Sequence, residues 1–260
     1  MNPANVQLGL GLIGIGKPWG VAPHDIPSEA EARALLEFAY ELGIRYFDTA
    51  PSYGDGVSEE RLGRFLRSLS SDQRAGVAAA TKFGEHWNAA VGEPYPDHSY
   101  DALRRSLDRS LDRLGRVDIL QLHKTTPAAL ASVDVARAWD YAQSVGIERL
   151  GPSVSDPESA RIALADPRYS VMQLPYNSAN PAFGPTISAA ATRRMWIAVN
   201  RPLAMGAMAA DRAAAFAFIL ARPFTGVVLT GTTSRDHLAG NYAAFRKSPA
   251  ESGPPAAARP

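Results

Sequence analysis

The sequence contains no cysteine. This absence excludes disulfide bonds, thiolate catalysis and cysteine-ligated metal sites. An excess of charge of one sign is also missing, since 27 Lys and Arg among the 260 residues face 26 Asp and Glu, a formal net charge of +1. The numbers of basic and acidic residues are nearly equal, and the basic residues are scattered along the chain. This charge distribution gives no electrostatic reason to expect a nucleic-acid partner or an acidic membrane.

Long apolar runs are missing as well. No run approaches the roughly 18 apolar residues that suggest a membrane-spanning helix, and the first residues lack a basic region followed by an apolar core. The sequence therefore predicts a cytoplasmic protein without a membrane partner. Its five histidines have no ligand-like spacing, so no metal site is expected; they are residues 24, 86, 98, 123 and 237.

Short apolar runs alternate with segments of helical periodicity almost throughout. Eight runs predict strands: 8–14, 44–48, 76–82, 117–123, 147–153, 171–175, 195–200 and 226–231. Helix starts between them are indicated by Ser28 with Glu31, by Pro157 after Asp156, and by Ser234. Eight strand–helix repeats predict an α/β fold, a (β/α)8 TIM barrel, as a single domain over residues 1–247. The Pro- and Ala-rich segment 248–260 is expected to be a disordered tail.

Polar residues stand where the second, third and fourth of these runs end. Asp48 ends the second run and is followed by Tyr53, Lys82 ends the third, and His123 ends the fourth. Barrel closure brings such strand ends to one rim, where catalytic residues of these folds lie. A buried ammonium near a tyrosine lowers the pKa of its phenol. Lys82 could therefore activate Tyr53 as a proton donor while Asp48 holds the lysine and His123 orients a substrate oxygen.

Three segments carry a resemblance to a known family. The segments RYFDTAPSYG followed by SEERLGRFL (45–66), TKFG (81–84) and LQLHK (120–124) resemble the signatures of the aldo-keto reductase family, and the similarity extends over residues 8–246. The resemblance implies a (β/α)8 barrel with Asp48, Tyr53, Lys82 and His123 as the catalytic tetrad and Tyr53 as general acid-base. It implies transfer of hydride between a nicotinamide cofactor and an aldehyde or ketone, or the reverse reaction on an alcohol or aldose.

The same resemblance implies a dinucleotide lying extended across the barrel rim. The expected cofactor-binding residues are Ser153, Gln173, Arg201, Leu203, Gly231, Thr232, Thr233, Ser234, Arg235, His237 and Asn241. The hydroxyl and N–H groups of 232–234 stand at a helix start, a natural anion site.

Departures from the family pattern bear on which nucleotide is used. Gly231 and His237 stand where basic residues commonly grip the 2′-phosphate of NADP, Gly240 replaces an acid, and Val154 and Asn200 replace two further cofactor contacts. Arg235 could supply the missing charge or could pair on the surface. NADP(H) is expected on family grounds, with NAD(H) as the alternative.

The expected substrate pocket involves aromatic residues of the loop 85–98. Trp87 and Tyr95, with Trp19, could form an apolar wall above the nicotinamide, or could pack the loop onto the barrel. Lys124 could attract an anionic or polyol substrate.

Two other functions remain open from the sequence. A regulatory barrel could bind the nucleotide and sense redox state without turnover, although it would not need the tetrad. A Schiff-base aldolase could use Lys82 as nucleophile, but the dinucleotide-like segment 231–241 would then be unexplained.

The opening LGLGLIGIG contains Gly9, Gly11 and Gly14 in the spacing of a dinucleotide-binding fingerprint. That fingerprint requires a helix directly after its third glycine. Here the first helical signal is Ser28, so the stretch is predicted to form a strand and a rim turn, and the phosphate site is expected at 231–235.

Overall fold

The computed structural model describes residues 6–20 and 25–248 and shows a barrel of parallel strands. The ten strands of this part of the chain are β1 (Val6–Gly11), β2 (Tyr46–Asp48), β3 (Ala78–Phe83), β4 (Glu85–Asn88), β5 (Glu93–Pro96), β6 (Ile119–Leu122), β7 (Leu150–Pro152), β8 (Val171–Pro175), β9 (Trp196–Asn200) and β10 (Gly226–Gly231). Eight of them form one sheet in the order β7-β6-β3-β2-β1-β10-β9-β8, while β4 and β5 form an antiparallel hairpin.

The barrel closes between the two edge strands β7 and β8. Ser153 and Gln173 form a parallel bridge, and the Val154 amide donates to the Gln173 carbonyl at 2.9 Å. At the other end of the seam, the Ser170 amide donates to the Leu150 carbonyl at 3.0 Å. The eight parallel strands thus form a nearly closed barrel, and the predicted (β/α)8 fold is confirmed.

Helices cover the outside of the barrel. They are α1 (Glu29–Glu41), α2 (Val57–Ser68), α3 (Ser71–Ala75), α4 (Tyr100–Leu114), α5 (Pro127–Leu130), α6 (Val133–Ser144), α7 (Pro157–Ala165), α8 (Gly184–Thr192), α9 (Arg212–Leu220) and α10 (Arg235–Lys247). The predicted helix starts are confirmed, because Ser28 and Glu31 form a reciprocal capping box, and Asp156 and Ser234 each cap a helix with their side chains. None of the helices within 6–20 and 25–248 is long and apolar enough to cross a membrane.

Two apolar layers hold the barrel together. The interior is filled near its amino end by residues from alternate strands, among them Tyr46, Ile119, Val171 and Val227. A larger cluster lies between the strands and the surrounding helices. This packing fixes the strand ends, and hence any side chain that follows them.

The structure differs from the sequence expectations at two places on the rim. The strand predicted over 8–14 ends at Gly11, and a 3₁₀ turn follows at Ile13–Ile15, because the chain must bend over the barrel mouth. The segment 85–98, expected as a loop, contains the β4–β5 hairpin. The predicted tail lies, from residue 249 onward, outside the described residues, and so does His24.

Candidate active site

A cleft of about 990 Å³ opens at the carboxyl ends of the barrel strands. Asp48, Tyr53 and His123 line its floor, and the segment 229–234 lines one side. Lys82 lies directly beneath, with its side chain 1% exposed. The structure therefore brings the four residues of the expected tetrad together at one rim.

The loop that carries Tyr53 is held against the rim turn by close backbone contacts. A Cβ added to Gly16 would lie 2.3 Å from the Tyr53 carbonyl oxygen, and one added to Gly54 would lie 2.0 Å from the Gly16 carbonyl oxygen. Ser58 accepts a hydrogen bond from Thr49 at 2.8 Å and donates to the Leu12 carbonyl at 2.9 Å. The position of Tyr53 thus depends on glycine where these two segments meet.

Asp48 and Lys82 form a buried ion pair below the cleft. Lys82 Nζ lies 2.7 Å from Asp48 Oδ2 and donates a second hydrogen bond to the Thr49 carbonyl at 2.9 Å. Burial acts to lower the pKa of Lys82, but the charge and hydrogen bond of Asp48 together with the interaction with Tyr53 outweigh it, so the pKa of Lys82 is raised above its usual value. The lysine is therefore held as an ammonium.

The ion pair continues into a chain of hydrogen bonds along the barrel seam. Gln173 Nε2 donates to Asp48 Oδ1 at 2.9 Å, and Ser153 donates to Gln173 Oε1 at 2.9 Å. Gln173 is buried and lines the cleft together with Ser153. One hydrogen-bonded row thus connects the expected proton-transfer group with the expected nicotinamide contacts.

Tyr53 stands over the lysine and beside the histidine. Lys82 Nζ is 5.1 Å from the centroid of the Tyr53 ring, and the rings of Tyr53 and His123 lie edge to face at 6.2 Å. Burial raises the pKa of Tyr53, and the charge of Lys82 offsets that effect only in part, so the pKa stays above its usual value. Lys82 thus lowers the pKa of Tyr53, as expected from the sequence, but burial has the larger, opposite effect.

His123 is surrounded by basic groups. Burial lowers the pKa of His123 to about 3, and the charges of Lys82, Lys124 and Lys17 act in the same direction against that of Glu85. The ring is therefore neutral at physiological pH.

Most expected cofactor residues line the same cleft. Arg235 is the exception, because it lies exposed at the first position of α10 and is absent from the cleft wall. The expected residues that do line it are Ser153, Gln173, Arg201, Leu203, Gly231, Thr232, Thr233, Ser234, His237 and Asn241.

Four cleft residues carry buried polar atoms without a hydrogen-bond partner in the described part of the chain. They are Asn200 Oδ1, Asn241 Oδ1, Arg212 Nε and His123 Nδ1. A buried polar atom is costly unless it is paired. The cleft therefore presents acceptors and a guanidinium to a polar ligand, which fits a dinucleotide.

Arg212 is a cofactor candidate that the sequence argument missed. It begins α9, and a Cβ on Gly240 would lie 3.2 Å from its Nη1. Within the described ranges its guanidinium forms no ion pair, and Gly240 of the neighbouring helix lies beside it. The signal was present as an arginine just after the seventh barrel strand's loop.

The expected substrate residues divide into two groups. Trp19 and Lys124 line the cleft, whereas Trp87 and Tyr95 do not; Pro94 of the hairpin does. Tyr95 is 44% exposed, and its ring contacts that of His86 in a tilted arrangement with the centroids 5.6 Å apart. The two aromatic residues thus belong to the β4–β5 hairpin and not to the cleft wall.

A second residue that the sequence argument missed is Glu85. Its carboxylate is buried at the cleft wall and contacts Ser52, His123 and Lys124. Because Glu85 directly follows TKFG at the end of a strand, the rule about strand ends could have found it.

Comparison with known proteins adds three findings. A family model described as the aldo/keto reductase family matches residues 7–211. D-threo-aldose 1-dehydrogenase from a Pseudomonas species is 32% identical over 183 residues, 57% of this chain and 54% of that protein. Aldo-keto reductase yakc of Schizosaccharomyces pombe, whose name includes NADP(+), is 28% identical over 173 residues, 65% of this chain and 48% of that protein.

The chain thus spans about half the length of these two curated relatives. A solved structure of a Pseudomonas aeruginosa protein assigned to the aldo-keto reductases matches with a TM-score of 0.79 and 31% identity, over 93% of this chain and 89% of that one. The range of the family model contains Asp48, Tyr53, Lys82 and His123 and ends before the segment 231–241.

Proposed function

The chain belongs to the aldo/keto reductase family, and we propose that it is an NADP(H)-dependent oxidoreductase that interconverts a carbonyl compound and an alcohol, with Tyr53 as general acid-base. The observation that carries the proposal is the Asp48–Lys82 ion pair at 2.7 Å directly beneath Tyr53, at the floor of a cleft with unpaired polar atoms. When bound, the nicotinamide would supply or accept the hydride.

Tyr53 would supply or remove the proton on the substrate oxygen. Its pKa is raised, so its hydroxyl stays protonated and can donate to a carbonyl oxygen. The ammonium of Lys82, 5.1 Å from the ring centroid, would stabilise the phenolate that remains after donation. Asp48 would keep that ammonium in place.

The ion pair also argues against a Schiff-base reaction at Lys82. A lysine nucleophile must be neutral, and the charge of Asp48 raises the pKa of Lys82. A role for Lys82 as a fixed positive charge is therefore favoured.

The cofactor would be held along the row of cleft residues described above. Ser153 and Gln173 would hold the nicotinamide end, and Asn241 Oδ1 can accept a hydrogen bond from an adenine amino group. The N-terminus of α10, where Ser234 caps the helix, suits a phosphate group.

The preference for NADP(H) over NAD(H) would come from Arg212. Its guanidinium faces the cleft without an ion-pair partner among the described residues, and a planar guanidinium matches a phosphate. The name of the S. pombe relative also includes NADP(+). Aldoses are one substrate class to test, because the name of the Pseudomonas relative includes one.

Replacing Tyr53 by Phe tests the chemistry. We expect the kcat of NADPH-dependent aldehyde reduction to fall at least about a hundredfold, a common size for a lost general acid, while the Kd for NADP⁺, measured by titration calorimetry, stays within about threefold. Wild-type turnover by Tyr53→Phe would contradict the proposal, and nucleotide binding without turnover in the wild type would favour a sensor.

Replacing Arg212 tests the cofactor preference. Arg212→Met should raise the Kd for NADP⁺ about tenfold or more and leave the Kd for NAD⁺ nearly unchanged, because only NADP⁺ carries the extra phosphate. Arg235→Met is the matched control, an exposed arginine at the start of the neighbouring helix. A selective loss in Arg235→Met instead would assign the 2′-phosphate to that residue.

A further inference from the structure

An ion pair between Glu59 and Arg113 lies behind the barrel wall, outside the cleft. Glu59 of α2 is fully buried, and Arg113 Nη1, near the end of α4, donates to its Oε2 at 3.0 Å. Thr81 of β3 donates its hydroxyl to Glu59 Oε1 at 2.6 Å. Burial raises the pKa of Glu59, and these contacts oppose that effect. None of the three side chains lines the cleft, so the proposed proton transfer and cofactor binding leave the pair without a role.

The turn that follows Tyr53 has an uncommon backbone. Gly54, Asp55 and Gly56 have φ angles of +70°, +52° and +91°, so three successive residues lie in the left-handed region. That region is unfavourable for a residue with a side chain, such as Asp55. Such a conformation persists only where the surrounding structure holds it. The turn therefore needs contacts that keep it in place, of which the close approach of Gly16 to Gly54 is one.

The guanidinium of Arg113 packs on this turn. A Cβ added to Gly56 would lie 2.1 Å from Arg113 Cζ, and Arg113 Nη2 donates to the Asp55 carbonyl oxygen at 3.5 Å. The backbone of Arg113 is docked as well, because a Cβ added to Gly63 of α2 would lie 1.9 Å from the Arg113 carbonyl oxygen. One planar group thus contacts Glu59 through Nη1 and the turn through Nη2 and Cζ.

Glu59 connects this contact to the strand that carries Lys82. Thr81 and Lys82 are successive residues of β3, so their side chains point to opposite faces of the strand. Lys82 lies beneath the cleft in its own ion pair, whereas Thr81 holds Glu59 on the side of the helices. The row Thr81–Glu59–Arg113 therefore runs from the strand of the ammonium to the turn beside Tyr53.

We propose that Arg113, held by Glu59, is a positioning residue for the proton transfer, because its guanidinium fixes the turn 54–56 and thereby the place of the Tyr53 ring over Lys82. The Tyr53 ring centroid lies 5.1 Å from Lys82 Nζ, and the stabilisation of a phenolate by an ammonium weakens as the two move apart. The effect on catalysis rests on the proposed function of Tyr53, whereas the attachment of the turn can be measured in the free protein.

Amide hydrogen exchange tests the attachment without any turnover. The Ser58 amide donates to the Tyr53 carbonyl oxygen at 3.2 Å, a bond that breaks when the turn opens. Glu59→Gln keeps the shape but removes the charge, so the side chain of Arg113, which is 20% exposed, can turn toward water. We expect exchange in the segment 53–58, followed by mass spectrometry at pH 7, to become about tenfold or more faster in this variant. Unchanged exchange would overturn the inference.

Glu60→Gln is the matched control. Glu60 is the next residue of α2 and approaches the same arginine, with its Oε1 3.9 Å from Arg113 Nε, but its side chain is 48% exposed. We expect exchange in the segment 53–58 to stay at the wild-type rate in this variant, because exposed pairs contribute little. Equal acceleration in Glu59→Gln and Glu60→Gln would overturn the role given to the buried pair.

Kinetics test the consequence for Tyr53. In Glu59→Gln we expect the kcat of NADPH-dependent aldehyde reduction to fall about tenfold or more, since a small displacement of a catalytic group is costly, while the Kd for NADP⁺ stays within about threefold. The Kd should hardly change because neither Glu59 nor Arg113 lines the cleft. Wild-type kcat in a Glu59→Gln protein with faster exchange would show that the turn does not position Tyr53.

Arg113→Lys separates positioning from stability. Its ammonium still neutralises Glu59, so the midpoint of urea unfolding should stay near that of the wild type. An ammonium lacks the planar fork that contacts the carboxylate and the turn together, so kcat should still fall as in Glu59→Gln. Wild-type kcat in Arg113→Lys would overturn the inference. Absence of turnover in the wild type would instead defeat the proposed function, and unchanged exchange would defeat the attachment of the turn alone.

Discussion

At the residue scale, the site consists of buried ionisable side chains that stabilise one another's charge states. Lys82 is 1% exposed and is paired with Asp48, and His123 is neutral because burial, assisted by the charges of nearby lysines, lowers its pKa. Such groups tie the chemistry of the site to the stability of the fold, because an uncompensated buried charge is costly. Substitutions here should therefore change both properties.

Asp48→Asn should lower stability as well as activity. It leaves the Lys82 ammonium buried without its anion, which typically costs about 3–5 kcal/mol of the free energy of unfolding. The loss would be measured by urea denaturation at pH 7. Glu37→Gln breaks the exposed pair with Arg33 and should cost about 0.5 kcal/mol or less, so equal losses in the two variants would contradict this account.

The free energy of unfolding should depend on pH in a way that reflects the protonation of His123. Its pKa is lowered to about 3 in the folded protein, against about 6.5 when exposed, so the unfolded chain binds the proton first as pH falls. Stability from this group is therefore present above about pH 6.5 and is lost as pH falls toward about 3, at about 1.4 kcal/mol per pH unit. The charged groups facing the ring are Lys82 and Glu85 from β3 and β4, Lys124 after β6, and Lys17 on the rim turn.

Urea denaturation of wild type and His123→Asn at pH 7, 6 and 5 would measure this effect. The slope of the free energy of unfolding against pH reports how many protons the chain takes up when it unfolds. Between pH 6 and 5 we expect this number to be smaller by about one in His123→Asn than in the wild type. Tyr53→Phe is the control, because it changes the same cleft wall without removing a group that titrates in this range. Identical slopes in wild type and His123→Asn would mean that the histidine is protonated in the folded state.

At the element scale, each functional side chain depends on where a strand ends and how the next segment turns. The sequence predicted β8 and β10 with the bounds that the structure has, because both are apolar runs buried on both faces. The predicted end of β1, residue 14, lies three residues beyond its observed end at Gly11. The apolar stretch does not show where the chain bends into the turn Ile13–Ile15. Asp48, Tyr53, Lys82 and His123 could be found because strand ends are visible in sequence.

Other parts of the site could not be found from the pattern alone. The sequence of the β4–β5 hairpin does not show the alternation of apolar and polar residues that is typical of strands. Gly92 and Pro94 interrupt any such pattern. Trp87 and Tyr95 lie in that hairpin and are absent from the cleft wall. Arg212 lines the cleft from the start of α9 and lies beside Gly240 of α10, a contact between elements that sequence spacing does not reveal.

The contact between the rim turn and the Tyr53 loop should respond to one added methyl group. Gly16→Ala would place a Cβ 2.3 Å from the Tyr53 carbonyl oxygen although its φ of −110° suits any residue. We expect a loss of about 1–3 kcal/mol in stability and a fall in kcat of about tenfold or more, measured by denaturation and by steady-state kinetics. Gly76→Ala, with a nearest contact of 3.6 Å and a φ of −81°, should change neither by much; a Gly16→Ala protein with wild-type kinetics would show that Tyr53 does not depend on this contact.

At the scale of the whole molecule, the cleft joins distant parts of one barrel. Its walls come from the ends of β1, β8, β9 and β10 and from the loops after β2 and β6. The seam between β7 and β8 carries Ser153 and Gln173, so the hydrogen-bond row of the site is also part of barrel closure. A ligand that fills the cleft should therefore stabilise the barrel as a unit.

Calorimetry with NADP⁺ tests this coupling together with the single-domain prediction for residues 1–247. A ligand at a hundred times its Kd stabilises a folded protein by about 2.7 kcal/mol, which for a domain of this size raises the Tm by about 5–10 °C. We expect one unfolding transition that moves as a whole, because the eight parallel strands form one sheet whose edge strands β7 and β8 meet at the seam. Two transitions, of which only one responds to NADP⁺, would show that the binding cleft belongs to a part of the chain that unfolds separately.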